Sequence, residues 1–222
     1  MGKLRTKRGA ATPETAQERL LEVAEQLFAE HGFAATSVRS ITNAARCNLA
    51  AVNYHFGGKL GLYEALFHSR LSELRRRRVE SVRRVMQRAQ GRAALELLLT
   101  AFGNAFLEPL VEEGRGRHLL GLLSREQLDP RLPRALFEHE MVEPVQRVLA
   151  EALLQSTPGL RREQALRCVV SIIGQLVQVS FRCRWAAACQ GGKVKGPRLG
   201  AMVEHIAHFS AAGVRACAKG TQ

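Results

Sequence analysis

The sequence predicts an all-α protein, and three observations carry that expectation. Proline and glycine punctuate long stretches whose apolar residues recur with a period near 3.6. No segment shows the strict alternation of a half-buried strand. A gap of about three residues separates two short helical stretches around residue 46. At 222 residues, 46% of them apolar, the chain can bury one substantial core, or a small domain beside a larger one.

The first helix is expected to open at Thr12, a capping residue, with Pro13 in the first helical position and Glu14 near the positive end. Leu20, Ala24, Leu27, Phe28 and Phe33 form an inward stripe, and Gly32 is read as its end. A second helix is expected over roughly 38–45, capped by Ser37 or Thr36, with Val38 and Ile41 facing in. Asn48 caps a third, about 49–55, whose inward residues are read as Leu49, Val52 and Phe56. So short a link makes the two helices cross steeply, as in a helix-turn-helix unit. A fourth helix runs from near Lys59 to about Gln90, pointing Leu62, Leu66, Leu71, Leu74, Val82 and Val85 inward.

Beyond Gly91 longer helices are expected at about 92–112, 116–127, 133–155, 162–189 and 198–217. They break at "EEGRGR", "DPRLP", "STPGL" and "GGKVKGP". The stretch "CVVSIIGQLVQVSF" (168–181) is apolar around most of its circumference and should be buried on more than one side. A second copy of the chain is the natural cover, through the last two helices of each protomer.

Lysine and arginine number 33 against 20 acids, giving +13. Such an excess favours a polyanionic partner, nucleic acid or an anionic membrane surface. Residues 1–60 carry +3, residues 61–92 carry +6 and the remainder +4. No segment is read as long and apolar enough to span a bilayer, and the basic start "MGKLRTKRGAATPE" lacks the apolar core of a secretion signal. Five cysteines without a CxxC pair fit a reduced cytoplasm. His205 with His208, and "EHE" at 138–140, lack further ligands at metal-binding spacing. There is no phosphate loop, dinucleotide fingerprint or nucleophile elbow, and Asp129 is the sole aspartate. No catalytic residue, no metal and no cofactor are expected.

The stretch "CNLAAVNYHFGGK" (47–59) concentrates polar groups on a short helix. With Leu49, Val52 and Phe56 inward, the other face holds Ala50, Ala51, Asn53, Tyr54 and His55. Small residues let a helix approach a surface closely. Asparagine and tyrosine bond phosphates or base edges, and Lys59 can reach a phosphate as a point charge. The N–H groups near Thr36 and Ser37 form a second anion site. Spacing alone also fits a helix pair whose polar residues merely face water.

The stretch "RLLEVAEQLFAEHGFAATSVRSITNAARCNLAAVNYHFGGKLGLYEALF" (19–67) resembles the DNA-binding domain of the TetR/AcrR family of transcriptional regulators. The resemblance implies a dimeric, all-helical repressor. An N-terminal three-helix helix-turn-helix domain would bind a palindromic operator in double-stranded DNA. A C-terminal helical domain would dimerise and hold a small-molecule effector. By position it implies Thr36 and Ser37 at phosphates and Asn48, Leu49 and Ala50 at the major groove. Asn53, Tyr54, His55 and Lys59 fall on the polar face and the trailing phosphate clamp. Arg46 replaces the family's turn glycine, so either the turn differs or Arg46 accepts the strain of a left-handed non-glycine residue, about 1–2 kcal/mol, while adding a phosphate contact. Asn53 replaces the commoner tyrosine, and Thr42 stands where alanine is usual. The expected division is a basic arm (1–12), a DNA-binding domain (13–60), an effector-binding and dimerisation domain (61–218) and a tail (219–222).

Several further features bear on this reading. "RRRR" (75–78) spreads around its helix, as a solvated face or a supporting phosphate contact. Cys183 and Cys189 fall on different faces, which disfavours a redox switch. An effector pocket is expected from Leu98, Phe102, Phe106, Leu120, Leu123, Phe137, Val177 and Phe181, although the same residues suit plain core. Arg182 and Arg184 favour an uncharged or anionic apolar ligand, such as an acyl compound. Two rivals remain: a sequence-independent nucleic-acid binder, and an interaction module whose DNA binding is lost.

Overall fold

A computed structural model describes residues 15–220 apart from 92, 113–114 and 191–195, and omits the side chains of 115, 117, 127, 134, 184–190 and 196–197. The expected cap at Thr12 to Glu14, the basic arm, Arg184 and Cys189 fall outside the described residues or side chains. The helices are α1 (Ala16–Ala35), α2 (Val38–Ala44), α3 (Leu49–Phe56), α4 (Lys59–Arg88) and α5 (Leu95–Leu107). They continue as α6 (Arg115–Leu128), α7 (Arg134–Phe137), α8 (Glu143–Ser156), α9 (Arg162–Gln190) and α10 (Gly196–Lys219). Two compact units are present, one ending at Leu66 and the other beginning at Phe67.

In the first unit α1 begins at Ala16, later than the Thr12 cap predicts. Glu18 stands three residues after Thr15 and closes a capping box with it: Glu18 N–H donates to the Thr15 hydroxyl oxygen at 3.2 Å, and Thr15 N–H donates to the Glu18 carboxylate at 2.8 Å. These donors hold the Glu18 carboxyl below its ordinary range. Gly32 kinks α1 rather than ending it, with φ +82°. The Thr36 hydroxyl reaches back to the carbonyls of Gly32 (2.8 Å) and Leu27 (3.1 Å) and fixes that kink. Leu20, Ala24, Phe28, Ile41, Val52, Leu62 and Leu66 are fully buried and form the core of this unit. Tyr63 meets Phe28 and Phe33 edge-on, each at 5.0 Å between centroids.

In the second unit α5 and α10 pack so closely that a Cβ on Gly103 would stand 2.9 Å from Val203 Cγ1. Glu96 and Arg215 join the same two helices through two parallel bonds of 2.7 Å. The helix expected over 133–155 is broken into α7, a π-helical segment (Glu138–Val142) and α8. Pro144 explains the interruption, because it offers no N–H to the carbonyl of Glu140. Arg75 supplies the missing donor: its Nη1 bonds the Glu140 carbonyl at 2.8 Å and the Glu140 carboxylate at 2.7 Å.

The arginine run is engaged in internal contacts, with Arg76 still solvent-exposed and Arg75, Arg77 and Arg78 half-buried. Arg76 pairs with Glu73 (2.7 Å) and Glu80 (3.0 Å). Arg77 pairs with Glu73 (2.8 Å), Glu108 (3.2 Å) and Glu112. The Arg78 guanidinium lies 3.7 Å above the Phe106 ring, and its burial pushes it down to about 9.

Two findings bear on the expectations for α9. Ala165, Val169, Ile172 and Leu176 are buried, but Leu166, Val170, Val177 and Phe181 are exposed, so one chain covers only one side. Arg162–Cys183, 22 residues at mean hydropathy 1.3, is also long and apolar enough to cross a membrane, contrary to the expectation that no segment is. Within this unit it packs against α8, α10 and α5.

Arg215 holds the Glu96 carboxyl at about 2, against an ordinary value of 4.5. A depressed folded-state value stabilises above the unfolded value and is lost as pH falls from 4.5 towards 2. Glu96→Gln should therefore flatten the pH dependence of urea-unfolding stability across that window, modestly because both groups are partly exposed. An unchanged slope would mean that the pair adds nothing.

Candidate nucleic-acid interface

The surface centred on α3 is set by caps at both ends. Ser37 opens α2 with a reciprocal box: Ser40 N–H donates to Ser37 Oγ at 2.9 Å, and Ser37 N–H donates to Ser40 Oγ at 3.2 Å. Thr36, by contrast, is buried with its hydroxyl turned onto α1, so its side chain does not reach the surface as the expected phosphate contact requires. Asn48 caps α3, its Oδ1 accepting from Ala50 N–H at 3.0 Å. Gly57, at φ +70°, closes α3, its N–H donating to the Asn53 carbonyl at 3.0 Å.

Between α2 and α3 the turn residue Arg46 has φ +53° and an exposed side chain. The turn keeps the left-handed geometry of a glycine while bearing a cation, and its strain is about 1–2 kcal/mol. Thr42 is buried and donates to the Arg39 carbonyl at 3.2 Å, a local packing role.

Val52 is the buried anchor of α3 and Phe56 is half-buried. Leu49 is 52% exposed, which corrects its expected inward placement and puts it on the outer surface with Asn48 and Ala50. The first residue of so short a helix sits beyond the reach of the core that Val52 enters. Asn53 and His55 are exposed, and Tyr54 is 85% exposed with its ring edge-on to His55 at 5.0 Å. Lys59 is tethered: its Nζ lies 3.5 Å from the Ala34 carbonyl and 4.3 Å from the Phe33 ring centroid. Asn48, Leu49, Ala50, Asn53, Tyr54 and His55 are thus all exposed along α3, Ser37 and Arg46 are exposed as well, and Thr36 is withdrawn.

Sequence reasoning missed Gly61. A Cβ there would fall 1.8 Å from the Phe56 carbonyl oxygen, so only glycine lets α4 start against the end of α3. Its signal was the third glycine in "GGKLG", one more than a helix stop needs.

The eight residues expected to line an effector pocket differ widely in burial. Leu98 and Phe102 are fully buried core, Phe106 packs on Phe102 at 6.0 Å, and Leu120 and Leu123 are half-buried. Phe137 and Val177 are exposed, and Phe181 is 57% exposed. The second unit instead carries cavities of about 350 and 760 Å³, and none of the eight lines either. Burial also raises the thiols of Cys183 and Cys168, the latter to about 11 with help from a hydrogen bond to Cys217. Neither behaves as an activated thiol.

Residues 20–66 match the family model described as bacterial regulatory proteins of the tetR family. Residues 95–214 match that of the C-terminal domain of the HTH-type transcriptional dual regulator CecR. The CecR protein of Shigella flexneri is 33% identical over 137 residues, 60% of this chain and 60% of that protein, so the match spans less than two thirds of the relative's length. The probable regulator YttP of Bacillus subtilis (strain 168) is 44% identical over 50 residues, 22% of this chain and 24% of that one. Among solved structures, a TetR-family protein from Mesorhizobium loti MAFF303099 superposes with TM-score 0.69 at 15% identity, covering 91% of this chain and 98% of that one. The fatty acid degradation regulator FadR from Bacillus halodurans gives TM-score 0.64 at 19% identity, covering 88% and 98%.

Two substitutions probe this geometry. Gly61→Ala should lower the melting temperature clearly, because the contact it creates is with backbone and cannot be relieved by a rotamer change. Arg46→Gly should raise unfolding free energy by up to about 1 kcal/mol through relief of the left-handed strain. A melt at wild-type temperature for the first, or a loss of stability for the second, would contradict the local geometry described.

Proposed function

From the premise that the chain belongs to the TetR family of transcriptional regulators, we propose that it is a DNA-binding repressor that acts as a homodimer on a palindromic operator. It is released by a small apolar effector and works in the cytoplasm. The observation that carries this reading is the outer surface of α3. Six residues able to touch bases or phosphates are gathered on a capped helix, and almost nothing there needs an internal partner. Asparagine and tyrosine offer donors and acceptors to base edges, and Ala50 leaves room for close approach to the groove.

The homodimer reading rests on α9 and α10. Leu166, Val170, Val177 and Phe181 on α9, with Met202 and Phe209 on α10, leave apolar side chains in water. A second copy would bury both sets, as four-helix interfaces do. A two-fold dimer presents two α3 helices, and successive half-sites then lie about one helical turn, or a multiple, apart. An effector acts by favouring a dimer geometry that does not match that spacing.

The test is selection of random duplex DNA on the purified protein, with enriched sites retested at two salt concentrations. A palindrome bound far more tightly than scrambled DNA is the expected result. Salt-sensitive binding without a common site would mean a sequence-independent binder. On a selected site, Tyr54→Ala and Arg46→Gly should weaken binding across sequences, the latter reducing the salt slope by about 1. Changes at Ala50 or Asn53 should alter base preference instead, and identical behaviour at all four positions would refute these roles.

A further inference from the structure

The larger cavity, about 760 Å³, is an open groove in the second unit formed by α4, α5 and the first turns of α10. That volume lies within the roughly 300–1,000 Å³ of small-molecule sites. Its floor is apolar, with Leu199 and Val203 buried. Its lining also includes large apolar side chains left in water, Leu97 at 58% exposed and Val111 at 44%.

The lining is also cationic, and its charges divide cleanly. The two carboxylates at the groove, Glu80 and Glu108, are already paired with Arg76 and Arg77. Arg84 and Arg88, also at the groove, are exposed and make no ion pair among the described residues. Two uncompensated guanidinium groups therefore share one depression with exposed apolar side chains. Gly200 adds room: a Cβ built there meets nothing within 4 Å, so the wall of α10 stands back from the groove.

We propose that this groove binds an amphipathic organic anion, its carboxylate paired with Arg84 and Arg88 and its apolar body lying along Leu97, Val111 and Val203. Guanidinium forks suit a planar carboxylate, and the apolar floor takes a chain or ring. The regulatory consequence, that such an anion is the effector, rests on the ligand-release reading above. The residues are not those the sequence suggested, and the cations come from α4 rather than from the end of α9.

The probes are decanoate, decyltrimethylammonium and decanol, each titrated calorimetrically into the full-length protein below its aggregation concentration. Decanoate should bind once per chain and at least about tenfold more tightly than the cation of equal chain length. Exchanging both arginines, Arg84→Gln with Arg88→Gln, should weaken decanoate about tenfold while leaving decanol unchanged. Gly200→Leu fills the groove from a position with free space around it, so the variant should melt like the wild type and bind neither decanoate nor decanol. Equal affinity for the cation, or undiminished decanoate binding by Gly200→Leu, would overturn the proposal. A selected operator duplex separates the two readings. Decanoate that binds the groove without releasing DNA supports the site and removes its effector role. Release of DNA by decanoate that Gly200→Leu leaves intact would place the effector elsewhere and overturn the proposal.

Discussion

The approach of Gly61 to the Phe56 carbonyl, where a Cβ would stand 1.8 Å from the oxygen, governs how α3 is presented. Gly57 and Gly58, at φ +70° and +122°, turn the chain back so that α4 starts directly against the end of α3. Leu62 and Leu66 then enter the core beside Phe28 and Ile41, with Val52 anchoring α3 from the other side. A helix of two turns with one fully buried residue has little packing of its own. Its outward residues are held instead by the caps at Asn48 and Gly57 and by this close contact. The left-handed Arg46 acts at the other end, where a cation is kept in a conformation that glycine would adopt with less strain.

Much of this was legible in the sequence because it depends on local chemistry. Ser37 and Asn48 announced α2 and α3, and the inward leucines of α4 recur at helical spacing. What the sequence concealed depends on partners far along the chain. Leu49 looked like core because an apolar residue at a helix start is ambiguous until the position of the neighbouring helix is known. Thr36 looked like a phosphate contact, yet its hydroxyl is committed to two carbonyls of α1. The break within 133–155 required knowing that Pro144 stands four residues after Glu140 and that Arg75 lies within reach. Of the expected effector residues Leu98, Phe102 and Phe106 are core, whereas Phe137, Val177 and Phe181 are exposed, a difference that helical spacing alone does not reveal.

In the second unit, close packing and charge pairing act on the same helices. Gly103 admits Val203, and the Glu96–Arg215 pair ties α5 to α10 beyond that contact. Arg75 substitutes a side-chain donor for the backbone N–H that Pro144 lacks, which lets a π-helical turn persist without an orphaned carbonyl.

The internal engagement of the arginine run changes how the chain's electrostatic field should be understood. Composition assigns +6 to residues 61–92, the steepest concentration of positive charge along the sequence. In the fold, Glu108, Glu112 and Glu140 join Glu73 and Glu80 within ion-pair distance of Arg75, Arg76 and Arg77, so carboxylates from beyond residue 92 offset about half of that excess locally. A polyanion approaching from beyond a Debye length, about 8 Å at physiological ionic strength, would sense less than that segment's formal charge. The long-range part of its capture falls to cations without such partners. Encounter rates with DNA should therefore depend on where the unpaired cations lie as well as on the net +13, which already counts every paired carboxylate.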